Sequence, residues 1–163
     1  MAGNPGQAFA ARPSDVEALA HRVIGLALEV HSVLGPGLRE KIYEEAMVVE
    51  LHRAEVPVLR QVEIGVRYKD VVLKGQRIDL LVARCLVVEV KAVSLKPGSG
   101  ALDVHKAQTL SYLRAGGFVL GLLLNFHVRS MKDGITRVIS SRPHAPPPTD
   151  LAPLASRPLR PLR

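Results

Sequence analysis

Two apolar runs, separated by only three residues, carry charges at their centres, and this feature constrains the fold most. Arg77-Ile78-Asp79-Leu80-Leu81-Val82 holds one carboxylate, and Leu86-Val87-Val88-Glu89-Val90-Lys91-Ala92-Val93 holds a second carboxylate and an ammonium. Short runs this apolar read as strands. A charge inside such a strand is costly unless it is compensated, and neither Glu nor Lys favours a strand. Residues two apart on a strand share a face, so Glu89 and Lys91 project together. A tight turn near Arg84 would set Asp79 opposite Glu89 and Lys91 opposite Arg77. Like charges facing each other across a ladder destabilise it. A divalent cation between them reverses the sign, because hard cations take carboxylate oxygens. A slip of one residue would put the carboxylates on opposite faces. The bland alternative is a salt bridge of Asp79 or Glu89 with Lys91, facing solvent at a sheet edge.

The rest of the chain supplies helices to cover such a sheet. Ser14-Asp15-Val16-Glu17 reads as a capping box, followed at helical spacing by Val16, Leu19, Ala20, Val23, Ile24, Ala27 and Val30. Gly35-Pro36-Gly37 ends that helix. A second helix is expected from about Leu38 to Ala54, with Ile42, Ala46, Val49 and Leu51 available for burial. After Pro57 the period becomes two. Val58 to Tyr68 reads as a strand and Lys69-Asp70 as a turn; Val71 to Leu73 and Arg77 to Val82 read as strand, interrupted near Gly75. Ser94 to Asp103 reads as a loop, Val104 to Ala115 as a helix stopped by Gly116-Gly117, Phe118 to Phe126 as a buried strand, and Ile135 to Ser140 as a last one. The order ααβββαββ implies an α/β fold with mixed strand directions.

Composition narrows the class further. The 163 residues suit one domain, expected over 14–142 between a flexible start (1–13) and a disordered Pro/Arg-rich tail (143–163). The tail holds seven of the twelve prolines and repeats arginine at Arg157, Arg160 and Arg163. At 47% hydrophobic and 4% aromatic, the core must be aliphatic. The lone cysteine, Cys85, can form neither an internal disulfide nor a zinc site alone, which points to the cytoplasm. No run reaches the roughly 18 apolar residues of a membrane span, and Met1 to Pro13 lacks the pattern of a signal peptide. The formal charge of +7 suits a polyanionic partner such as nucleic acid. All but four of the 22 Lys/Arg and all but one of the 15 Asp/Glu lie within 14–142, so that domain is itself basic.

Two further groups stand out. Gly37 permits close backbone approach, and Glu40 and Tyr43, three apart, share a helix face. His105, Gln108 and Tyr112 form one polar stripe at i, i+3 and i+7 on the other helix. Read alone, Glu40 only complements a helix dipole, and the stripe only bonds neighbouring loops.

Together the residues gain meaning. Gly37, Glu40 and Tyr43 fit G-x-x-E-x-x-Y. Asp79, then Glu89-x-Lys91, then Gln108 and Tyr112 within His105-x-Ala-Gln-x-x-x-Tyr-Leu follow in order. From about Val16 to Ile139, including His31 and Asn125-Phe126, the chain resembles the GxxExxY proteins, a branch of the PD-(D/E)xK nuclease-like superfamily. Ile78 stands where the superfamily name has Pro, and the loop Ser94–Asp103 is longer than expected. The resemblance implies a restriction-endonuclease-like core, a central mixed β-sheet flanked by helices. It implies Mg²⁺ (or Mn²⁺) held by Asp79, Glu89, the Val90 carbonyl and Glu40, directly or through water. Lys91, Gln108 and Tyr112 would be catalytic, with Gly37, Tyr43 and His105 in support. The activity implied is metal-dependent phosphodiester hydrolysis on DNA or RNA. A catalytically silent nucleic-acid- or partner-binding domain on the same fold is the alternative.

Overall fold

Helix α1 (Pro13–Leu34) lays the stripe Val16, Ala20, Val23, Ala27 and Val30 onto the sheet, and all five side chains are buried. That stripe is the one the sequence periodicity predicts. The computed structural model describes residues 13–94 and 100–141. The expected flexible start, except Pro13, and the Pro/Arg-rich tail lie outside the described residues. Ser14 sits inside the first turn of α1 rather than capping it, with its hydroxyl 3.4 Å from Asp15 Oδ1. Glu17, the expected partner in the capping box, pairs instead with Arg137.

The Gly-Pro-Gly turn takes left-handed backbone at Gly35 (φ 64°) and Gly37 (φ 104°), and α2 (Glu40–Arg53) begins three residues later. Its buried stripe is Tyr43, Glu44, Met47, Val48 and Leu51, whereas Ile42 is exposed. The helix is rotated from the expected phase because Tyr43 stacks on Phe126, ring centroids 4.5 Å apart.

Strands β1 (Val58–Tyr68), β2 (Val71–Val82) and β3 (Leu86–Lys91) form an antiparallel meander. The expected interruption near Gly75 is a bulge within a continuous β2: the register shifts opposite Ile64–Val66, and Gly75 has φ 110°. The β2–β3 turn has both Ala83 (φ 46°) and Arg84 (φ 58°) in left-handed backbone, the pattern of a tight hairpin turn. Helix α3 (Ala101–Gly116) starts three residues before its expected beginning and ends at Gly117, also left-handed. It leads to β4 (Leu120–Asn125), parallel to β3, and a 3₁₀ turn (Met131–Gly134) precedes β5 (Ile135–Ile139), antiparallel to β4.

The sheet order is therefore β1-β2-β3-β4-β5, with mixed directions. Strand parity divides the core in two. Leu80, Val82, Leu86, Val88 and Val90 pack with α1 and α2. Leu81, Val87, Val62 and Ile64 pack with Tyr112 and Leu113 of α3. Burying a full Val or Leu contributes roughly 1.5–3 kcal/mol, so the central strands have little freedom to slip. Among the described residues, no helix is long and apolar enough to cross a membrane.

Candidate active site

The β2–β3 ladder pairs Leu80 with Val88, Leu81 with Val87 and Val82 with Leu86. Continued by one residue, this register sets Asp79 across from Glu89, as the sequence pattern predicts. The ladder stops there because side chains take over its hydrogen bonds. Val90 N–H donates to Asp79 Oδ2 (3.0 Å), and Asp79 N–H points at Glu89 Oε1 (3.4 Å). The expected Lys91–Arg77 pair therefore does not form; Lys91 instead aligns with Asn125 of β4. The salt bridges of Asp79 and Glu89 with Lys91 do form, but not at a solvent-facing sheet edge, since β2 and β3 are interior strands and Glu89 is only 1% exposed.

Three carboxylates gather round the Lys91 ammonium. Its Nζ lies 3.4 Å from Glu89 Oε2, 3.8 Å from Glu40 Oε1 and 3.9 Å from Asp79 Oδ2. Glu40 arrives from the first turn of α2, and the Ala92 backbone N–H bonds to it. One cation cannot balance three anions. Burial, then the Asp79 charge, push the Glu89 carboxyl up to about 8, against a smaller opposing pull from Lys91. Glu40 is raised by the same cause, desolvation, which Lys91 partly offsets.

The donor chemistry fits a hard divalent cation. The site offers carboxylate and carbonyl oxygens, and a bound cation would offset the burial and mutual repulsion that favour the protonated form of Glu89. Among the described residues no group of three or more His, Cys, Asp or Glu is already set for metal coordination. The carboxylates close on Lys91 instead. Mg²⁺ does not need such a cage: it usually takes one or two carboxylates and keeps several waters. Asp79, Glu89 and the Val90 carbonyl are the residues that could hold it, with Glu40 alongside.

Helix α3 brings Gln108 and Tyr112 to the same side. Gln108 Nε2 donates to Tyr112 Oη (2.8 Å), and Tyr112 O–H donates to Gln76 Oε1 (3.1 Å). Burial, then Glu89, raise the Tyr112 phenol, so Tyr112 stays a neutral donor within the field of the acidic cluster. His105 is half-buried on the same helix, and its backbone carbonyl accepts the Thr109 hydroxyl (3.0 Å).

Tyr43 serves the fold. It is fully buried; its hydroxyl donates to Gly35 O (2.6 Å) and accepts from Leu38 N–H (3.1 Å). It thereby fastens the turn containing Gly37 and sets the start of α2, on which Glu40 depends.

Several polar residues at the site carry no motif. Glu44, one helical turn after Glu40, accepts Arg60 Nε (3.1 Å) and Nη2 (3.0 Å) on one oxygen and Gln61 Nε2 (3.1 Å) on the other. Gln61 Nε2 also lies 3.4 Å from Asp79 Oδ1. With Glu40, Lys41 and Asp79 these residues line an open cleft of about 540 Å³. The only signal in the sequence is that Arg60 and Gln61 interrupt an apolar strand. Asn125 is buried and bonds both Val93 N–H (3.1 Å, to Oδ1) and Val93 O (2.9 Å, from Nδ2), securing the chain just beyond Lys91.

A family model described as the PD-(D/E)XK nuclease superfamily matches residues 17–138. The chain belongs to that superfamily, and its two N-terminal helices and five-stranded mixed sheet with an inserted helix accord with that fold. No curated protein and no solved structure matches the chain.

Proposed function

We propose that the protein is a metal-dependent nuclease that hydrolyses phosphodiester bonds in nucleic acid, and that within its superfamily it belongs to the GxxExxY branch. One observation carries this reading: three carboxylates, Asp79, Glu89 and Glu40, lie within 4 Å of a single ammonium at the end of a buried apolar strand. Strongly perturbed charge in a cleft is characteristic of functional sites.

Asp79, Glu89 and the Val90 carbonyl, with Glu40 directly or through water, would hold Mg²⁺ or Mn²⁺. When bound, the metal supplies Lewis acidity to the scissile phosphate and acidifies a water. Lys91 donates hydrogen bonds to the oxygen that gains negative charge, an interaction strongest in the transition state. The Gln108–Tyr112 pair offers a neutral donor that orients the phosphate without adding charge. Gly37 and Tyr43 hold Glu40 in reach, and His105 completes the polar stripe.

Nucleic acid as the partner is supported by the β1–β2 hairpin. Arg67, Lys74 and Arg77 on the strands and Lys69 in the turn are all exposed there, and β2 leads directly to Asp79. A basic arm of this kind tracks phosphates irrespective of sequence. The unpaired thiol of Cys85 suits a reducing cytoplasm.

The test is incubation of purified protein with labelled single-stranded DNA, duplex DNA and RNA in Mg²⁺, Mn²⁺ or EDTA, beside a Glu89→Ala/Lys91→Ala control. Metal-dependent cleavage by the wild type alone supports the reading and names the substrate. Nucleic-acid binding that is indifferent to EDTA, with no product, favours a silent binding domain.

A further inference from the structure

We propose that Gln61 is a positioning residue for Asp79, held in an unfavourable backbone conformation so that its amide can aim the metal-binding carboxylate. The inference rests on the metal-site reading above.

Gln61 lies inside β1 with φ 50°, in left-handed backbone. A residue with a Cβ rarely adopts that conformation within a strand; glycine does so without penalty. The flanking pairs Arg60–Leu80 and Val62–Ile78 keep the register, while the Gln61–Asp79 pair between them drops out of the ladder. The distortion therefore falls directly opposite Asp79. Local strain of this kind persists where the surroundings over-determine it.

The surroundings here are a chain of hydrogen bonds. Arg60 grips one oxygen of the buried Glu44 through Nε and Nη2, which leaves Glu44 Oε2 directed at Gln61. The Gln61 amide nitrogen has two hydrogens and two carboxylates to serve, Glu44 Oε2 at 3.1 Å and Asp79 Oδ1 at 3.4 Å. The other Asp79 oxygen takes Val90 N–H at 3.0 Å. Both oxygens of Asp79 are thus oriented, one by each neighbouring strand. A neutral amide suits the task. A cation at position 61 would compete with a bound metal for the carboxylate, whereas an amide orients it and leaves its charge available. Partners of this type commonly change metal affinity by about 10–100-fold when removed.

The test compares the wild type with Gln61→Gly, which fits left-handed backbone but has no amide. Mg²⁺ affinity is measured by titration calorimetry, and metal-free melting temperature alongside it. The expected result is a melting temperature within a few degrees of wild type, with Mg²⁺ binding weakened about tenfold or more. Should the Gly variant fail to fold, Gln61→Asn tolerates the backbone with an amide one methylene short, and the same loss of affinity is expected. Mg²⁺ affinity within twofold of wild type overturns the proposal, whether or not the melting temperature falls. If the wild type itself takes up no Mg²⁺, the metal-site reading fails and the proposal falls with it.

Discussion

The Asp79 carboxylate replaces a main-chain carbonyl as the acceptor for Val90 N–H, at 3.0 Å, where the β2–β3 ladder ends. One side chain thus does structural work on the sheet while presenting charge to the cleft. Asp79→Ala removes the acceptor and leaves a buried N–H unpaired, which costs about 1–3 kcal/mol. Asp79→Asn can still accept through its amide oxygen. In metal-free buffer the Ala variant is expected to melt several degrees below the Asn variant, as followed by circular dichroism.

Glu89 links stability to pH. Burial, then Asp79, raise its folded pKa from 4.5 to about 8. The folded state therefore holds this proton more tightly than the unfolded chain. Its contribution is fully present below pH 4.5 and is lost as pH rises through about 8. Glu89→Gln, which cannot ionise, should have a flatter stability profile from pH 5 to 9 in EDTA and exceed the wild type at pH 9. Thermal melts across that range check the sign. With Mg²⁺ present, the wild type alone should gain.

Removing Lys91 separates metal binding from catalysis. Its ammonium partly neutralises Glu89, Glu40 and Asp79. In Lys91→Ala the site loses the ammonium that competes with a metal for these carboxylates, so at a pH where they ionise Mg²⁺ should bind at least as tightly as in wild type. Cleavage should fall by about 10²–10³-fold, the usual loss when a donor to developing charge is removed. Single-turnover cleavage at saturating Mg²⁺ measures this.

Tyr43 tests the structural reading of the G-x-x-E-x-x-Y motif. Tyr43→Phe keeps the stacking on Phe126 but loses the bonds to Gly35 O and Leu38 N–H. A stability loss of about 1–3 kcal/mol is expected, read by chemical denaturation. Activity per folded molecule should change far less than it does in Lys91→Ala.

The hairpin arm should act on binding and not on the metal. Replacing Arg67, Lys69 and Lys74 together by Ala is expected to lower the salt dependence of nucleic-acid binding, since each lost phosphate contact reduces the slope by about one. Mg²⁺ affinity should be unchanged. Fluorescence anisotropy over a salt series provides the comparison.

The sheet was legible in the sequence where local chemistry decides it. The apolar parity of Leu80 to Val82 against Leu86 to Val88, with a tight turn between, sets the register that brings Asp79 to Glu89. Elsewhere the sequence misled. Ile42 looked buried because helical periodicity gives a phase only from apolar residues, whereas the phase of α2 follows a polar-capable aromatic, Tyr43. Lys91 looked paired with Arg77 because the ladder was extended past the point where Asp79 ends it. Glu44, Arg60 and Gln61 had no motif to reveal them: their partners lie 16 to 18 residues away, and only the folded sheet brings them together. Gln76 is recognisable only once α3 carries Tyr112 over β2, 36 residues away.

The most direct measurement is a calorimetric titration of Mn²⁺ into the wild-type protein and into Asp79→Asn, at pH 8. Saturable binding at one site in the wild type, lost or weakened at least tenfold in the variant, is the predicted result. Equal binding by both proteins, or none by the wild type, would contradict a metal centre built on Asp79 and Glu89.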